Sequence, residues 1–97
     1  MANRTLSFEL FGEQMDVEIR SYIGGSNPAI QLWASDGPYM TASVNPPSKL
    51  LPGQVAIKNW SENLGIELQL KKAGIIGERV GSVTVGNMIA PVYQLLV

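Results

Sequence analysis

The 97-residue chain contains no cysteine and no histidine. Without cysteine there are no disulfides and no thiolate chemistry. Without histidine it lacks the one side chain whose ordinary proton equilibrium lies near neutral pH. Together the absences exclude Ser-His-Asp and Cys-His nucleophilic systems, and zinc sites built on imidazole or thiolate.

Charge is also scarce. Only 15% of residues are charged, against about 25% in soluble domains, and the net charge is −1. The seven basic residues are scattered, with Lys71 and Lys72 the one adjacent pair. No cluster therefore offers the phosphate neutralisation that non-specific nucleic-acid binding draws on. The Lys71-Lys72 pair reads as a helix end complementing its dipole. No stretch approaches the roughly 18 apolar residues of a membrane span. After its one arginine, "MANRTLSFEL" shows no apolar run of a secretory signal. The expectation is a protein without membrane or secretory segment, compatible with a reducing cytoplasm.

What is present is apolar. Hydrophobic residues make up 45% of the chain and mean hydropathy is +0.10. At this length one core serves, so residues 1–97 are expected to form a single domain. A sparsely charged surface also favours self-association or a protein partner.

The patterning predicts strands first. Leu6, Phe8 and Leu10 alternate with Thr5, Ser7 and Glu9. Met15, Val17 and Ile19 alternate with Asp16, Glu18 and Arg20. With Gly12-Glu13 as a two-residue loop, these stretches predict a β-hairpin. "IGGSNP" (23–28) is a loop, "AIQLWA" a strand, "SDGP" (35–38) a turn, and "YMTASV" a strand with Met40, Ala42 and Val44 inward. The three prolines of "NPPSKLLPG" exclude a central strand there, and "QVAIK" is one more short strand. A helix is predicted over 63–73, with Asn63 as N-cap and Gly74 as the left-handed residue beyond its end, where Ile75 packs back on Leu70. Gly77, Gly81 and Gly86 predict an irregular connection with a short strand at 83–85. "MIAPVYQLLV" reads as a strand that Pro91 confines to an edge, a bulge or one-sided pairing. Both its faces are apolar, so it is sandwiched or at an interface. The expected fold is α+β: one antiparallel sheet of five to seven strands, opening with the hairpin, and one short helix packed on a face.

The carboxylates Glu9, Glu13, Asp16 and Glu18 are the available acid–base groups, but alternation sets Asp16 and Glu18 on a polar face beside Arg20, as solvated sheet residues. The glycine loop lacks the Gly-Lys-Ser/Thr continuation of a phosphate cradle. The chain is therefore read as non-enzymatic, with no catalytic residue, metal site or cofactor. The aromatics are the remaining candidates. Trp33 and Tyr39 fall opposite the apolar residues of their strands and meet on one polar face across the turn, Tyr39 with Thr41 and Ser43. That face is either a recognition surface or is covered by the helix. Trp60, in "KNWSENLGI", is either a peg beneath the helix start or, with Lys58 and Asn59, a partner-binding corner.

In the order "LSFELFGEQMDVEI", "AIQLW", "DGPYMTASVN", "KNWSENLGI" and "APVYQL", the chain resembles a small family of proteins of unknown function carried by phages, plasmids and conjugative elements. The resemblance spans nearly the whole chain, and "WSEN-GI" is its most distinctive part. It implies a setting rather than a mechanism: a binding protein in the cytoplasm of a bacterial host, directed at a host protein or complex, for example as an inhibitor of a defence system such as a CRISPR effector. Two other classes stay open. One is a homo-oligomeric assembly protein that uses the apolar C-terminal strand as its interface. The other is a sponge for small nucleotides, using glycine-loop amides and stacking aromatics in an oligomer groove.

Overall fold

The computed structural model describes residues 3–10, 12–25 and 27–97, with side chains for all of these except 3–6 and 62. Strands β1 (Asn3–Leu10) and β2 (Glu13–Ser21) form the expected hairpin, with Phe8 opposite Met15 and Leu10 opposite Glu13. Glu13 already belongs to β2, so the loop sits one residue earlier than expected. Gly12, at φ 86, ends it, and Phe11 lies outside the described residues. Strands β3 (Pro28–Ala34) and β4 (Gly37–Thr41) follow, antiparallel, joined by the predicted turn.

The single expected sheet is corrected to two. A four-stranded antiparallel sheet has the order β1-β2-β3-β4. A three-stranded one, of β5 (Gln54–Ala56), β6 (Ile76–Val85) and β7 (Met88–Leu95), has the order β5-β7-β6. The split occurs where the chain leaves β4. Ala42 N still donates to Ile30 O, but Val44 N donates to Ala56 O, and Lys58 N donates to Ala42 O. Segment 42–44 thus passes from one sheet to the other. Its strand character ends at the prolines that follow, which have no N–H to continue a ladder.

The sheets and helix α1 (Ile66–Lys72) bury one shared core. Leu10, Met15, Val17, Ile30 and Leu32 come from the first sheet; Val55, Ile76 and Tyr93 come from the second; Ile66 and Leu70 come from α1. A smaller cluster of Leu50, Ala56, Ala90 and Val92 lies on the other face of the second sheet. Val44, Trp60, Val83 and Val85 pack against it. Over residues 90–93, strand β7 is apolar on both faces because both are covered. Apolar burial of this kind is the main driving force of folding.

Helix α1 is shorter than the 63–73 expected. Gly65, left-handed at φ 83, stands at its N-cap, and Ser61–Asn63 form a single preceding 3-10 turn, so Asn63 does not cap it. Its end follows expectation: Gly74 N donates to Lys71 O and Ile75 N to Leu70 O, with Ile75 and Leu70 both in the core. The irregular connection expected over 77–86 is instead the ten-residue strand β6. Its glycines sit at bulges or close approaches. Register shifts fall between Ile76 and Arg79 and between Arg79 and Gly81, and a Cβ at Gly77 would meet Gln94 Oε1 at 3.1 Å. Nor is the Pro91 strand an edge. Strand β7 is central, and the free edge of its sheet is β6. Among the described residues, no helix is long and apolar enough to cross a membrane.

Candidate functional site

The outer face of the first sheet carries the polar half of each alternating strand. Trp33 lies there, half-buried, and its indole N–H donates to Glu18 Oε1 at 3.0 Å. Glu18 also faces the Arg20 guanidinium at 3.9 Å and is 6% exposed. The expectation of a solvated Glu18 is therefore corrected: a large indole lying across a two-residue diagonal shields it. Asp16 accepts a hydrogen bond from Ser7 Oγ at 2.6 Å. Gln31 bridges to the Met40 carbonyl and accepts from Thr41 Oγ1. Helix α1 packs on the opposite face of this sheet, so Trp33 is covered by its polar neighbours and not by the helix.

A bulge interrupts the strand pairing between Trp33 and Tyr39. Leu32 pairs with Met40 but Trp33 pairs with Pro38, which leaves Tyr39 as the extra residue of β4. A bulge breaks strict alternation and re-aims a side chain. Tyr39, 44% exposed, lines an open cleft of about 580 Å³ with Met40, Thr41, Ser43 and Lys58. Lys58 reaches the cleft because its own N–H bonds Ala42 at the sheet junction. Two candidates from separate stretches, Tyr39 and Lys58, thus converge on one cleft, which Trp33 does not line.

Ser43, assigned to the polar face by alternation, is buried and structural. Its hydroxyl accepts from Ile30 N at 2.9 Å and shares a 2.8 Å hydrogen bond with Tyr22 Oη. Burial raises the Tyr22 phenol above its ordinary pKa, and the Ser43 hydrogen bond partly opposes this.

The other candidates of "KNWSEN" hold the segment in place. Asn59 Nδ2 donates to Glu67 Oε2 at 2.7 Å, tying it to α1. Trp60 packs on the smaller cluster beneath the second sheet and immediately precedes the 3-10 turn. It is a peg, though under the sheet and the turn, not under α1. Asn63, wholly buried, donates to Thr41 O at 3.0 Å, and its Oδ1 has no hydrogen-bond partner among the described residues. Ser61 adopts φ 59, outside the usual range for a side-chain-bearing residue.

The glycine loop is elsewhere. Gly24 and Gly25 line a groove of about 320 Å³ with Asn45, Pro46, Pro47 and Lys49, and among the described residues no aromatic ring lines it. Among the described residues, no group of three or more acidic side chains is placed to hold a metal ion. No family model, curated protein or solved structure matches the chain.

Proposed function

We propose that the chain is a non-catalytic binding protein whose docking site is the Tyr39–Lys58 cleft. The observation that carries this reading is the convergence of a solvent-facing aromatic ring and a long cation-bearing stem at one concavity. Aromatic anchors that become buried on docking carry much of the energy in protein recognition. The main acid–base candidates support the same reading in another way. Asp16 bonds Ser7, and Glu18 is held by Trp33 and Arg20, so both serve the sheet. The setting implied by the mobile-element resemblance makes the partner a host protein or complex in the bacterial cytoplasm, an effector of a defence system among them.

The nucleotide reading has less support. It joins glycine amides to stacking rings, whereas Gly24–Gly25 and Tyr39 line separate clefts of the monomer. Capture from bacterial lysate tests the proposal. Tyr39→Ala should weaken capture by about 2 kcal/mol, roughly 30-fold, and Lys58→Glu should weaken it too. Trp33→Phe, which keeps a ring on the outer face, should capture as the parent does. Equal capture by all three variants, each shown folded by circular dichroism, overturns the assignment of the cleft. A thermal shift with a nucleotide that Tyr39→Ala abolishes would replace the protein partner with a nucleotide.

A further inference from the structure

The free edge of β6 offers an interaction surface independent of the cleft. From Val80 to Val97 the chain has no charged residue, and Glu78 through Ser82 are solvent-exposed. Natural sheets blunt their edges with charge, proline, bulges or a covering segment. The other edges here follow that rule. β4 carries Pro38 and the Tyr39 bulge, Val44 bonds the outer side of β5, and β1 carries Arg4, Glu9 and a register shift. Strand β6 concentrates its two bulges and both its charges, Glu78 and Arg79, in its first half. Residues 81–85 run regularly opposite β7, with no such protection.

The ladder shows which backbone groups are unused there. Ile57 N donates to Pro91 O at 2.9 Å, so Pro91 turns its carbonyl toward β5 and away from β6. Its partner Ser82 must then point its own N–H and C=O away from β7, to the outer edge, and Thr84 shares that direction. Val83 and Val85 are spent on Ala90 and Met88.

We propose that this edge pairs with the same edge of a second copy, antiparallel, about a two-fold axis at Val83. In that register Ser82 of each copy faces Thr84 of the other and exchanges both main-chain hydrogen bonds, while the two Val83 residues meet as the close, non-bonded pair. The charges allow it. Glu78 and Arg79 lie outside the regular stretch 81–85 that pairs, so no like charges meet across the axis. A strongly charged partner strand would find nothing to pair with between Val80 and Val85. The occupant is therefore a neutral strand, and a second copy supplies one, uncharged from Val80 to Val85. The half-buried Val83 and Val85 of both copies then form one apolar strip, and the exposed Val80 and Met88 gain cover. Two three-stranded sheets become one of six, a symmetric isologous interface.

Because the chain has no cysteine, single thiols report the register directly. In the intact protein, Val83→Cys should form a disulfide-linked dimer on mild oxidation, and faster than Val80→Cys or Thr84→Cys. Light scattering should show the mean mass of the parent rising toward twice the monomer with concentration. Ser82→Lys with Thr84→Lys sets lysines face to face and should hold the mass at the monomer value. Ser82→Glu with Thr84→Lys opposes unlike charges and should restore the dimer. A parent that stays monomeric up to millimolar concentration overturns the proposal, as does an equal mass for the two charge variants. Preferential cross-linking at another position overturns the register.

Discussion

Asn27 shows how much of this structure hangs on single side chains. Its Nδ2 donates to Asn45 Oδ1 and to Ser48 O, both at 3.1 Å, and its Oδ1 accepts from Leu50 N at 2.8 Å. One buried amide thus holds the proline-rich segment against the start of β3, and that segment covers the smaller apolar cluster through Leu50. Asn27→Ala leaves the Leu50 N–H buried without a partner and should cost about 2–3 kcal/mol. Urea unfolding measures this as a lower midpoint at unchanged slope. A loss below about half a kcal/mol would mean that water replaces the amide. Asn63 is the opposite case. Its buried Oδ1 is already unpaired among the described residues, and beside it Ser61 holds a left-handed backbone. The short polar residues around Trp60 therefore do not form a helix cap. They make a strained turn, and the Asn63–Thr41 hydrogen bond ties this segment, which follows β5, to the end of β4.

At the level of elements, local signals and the folded chain agree where pairing is between neighbours in sequence. The opening hairpin, the "SDGP" turn and the end of α1 are all set by alternation or by glycine next to a periodic run. The end of α1 can be tested. Gly74 sits at φ 76 with nothing within 4 Å of an added Cβ, so Gly74→Ala meets backbone strain without a clash. It should destabilise the fold by about 1 kcal/mol, with little change in structure. A thermal midpoint unchanged from the parent would show that the motif relaxes at no cost. Long-range arrangement was less legible. The departure of the chain at Ala42 depends on hydrogen bonds to Ala56 and Lys58, which no local pattern announces. Glycines 77 and 81 look like breakers in sequence, yet each fits a bulged or crowded position of a continuous strand. The bulge at Tyr39 breaks strict alternation there. Tyr39 lines its cleft with Lys58 from a separate stretch, so the candidate residues were legible while that grouping was not.

On the scale of the whole molecule, two sheets share one core, and their junction is held by polar contacts as well as apolar ones. Ser43 sits at that junction, accepting from Ile30 and paired with Tyr22, whose phenol is kept protonated by burial. Tyr93, in the second sheet, is raised in the same sense by burial and by the Glu67 carboxylate, with Arg79 opposing. Both phenols thus hold their protons more tightly folded than unfolded. Below the ordinary phenol pKa of about 10 both states are protonated, and the contribution is fully present. As pH rises above that value the unfolded chain loses protons that the folded one retains, so stability falls until the folded phenols titrate too. Denaturant midpoints should accordingly decline on the alkaline side, from about pH 10 upward. Tyr22→Phe separates the two roles of this residue. At neutral pH it should lower stability by about 1 kcal/mol through the lost Ser43 hydrogen bond. Above pH 10 its decline should be shallower than that of the parent, because one of the two raised phenols is gone. Parallel curves for variant and parent across that range would mean that the Tyr22 phenol is not shielded at the junction.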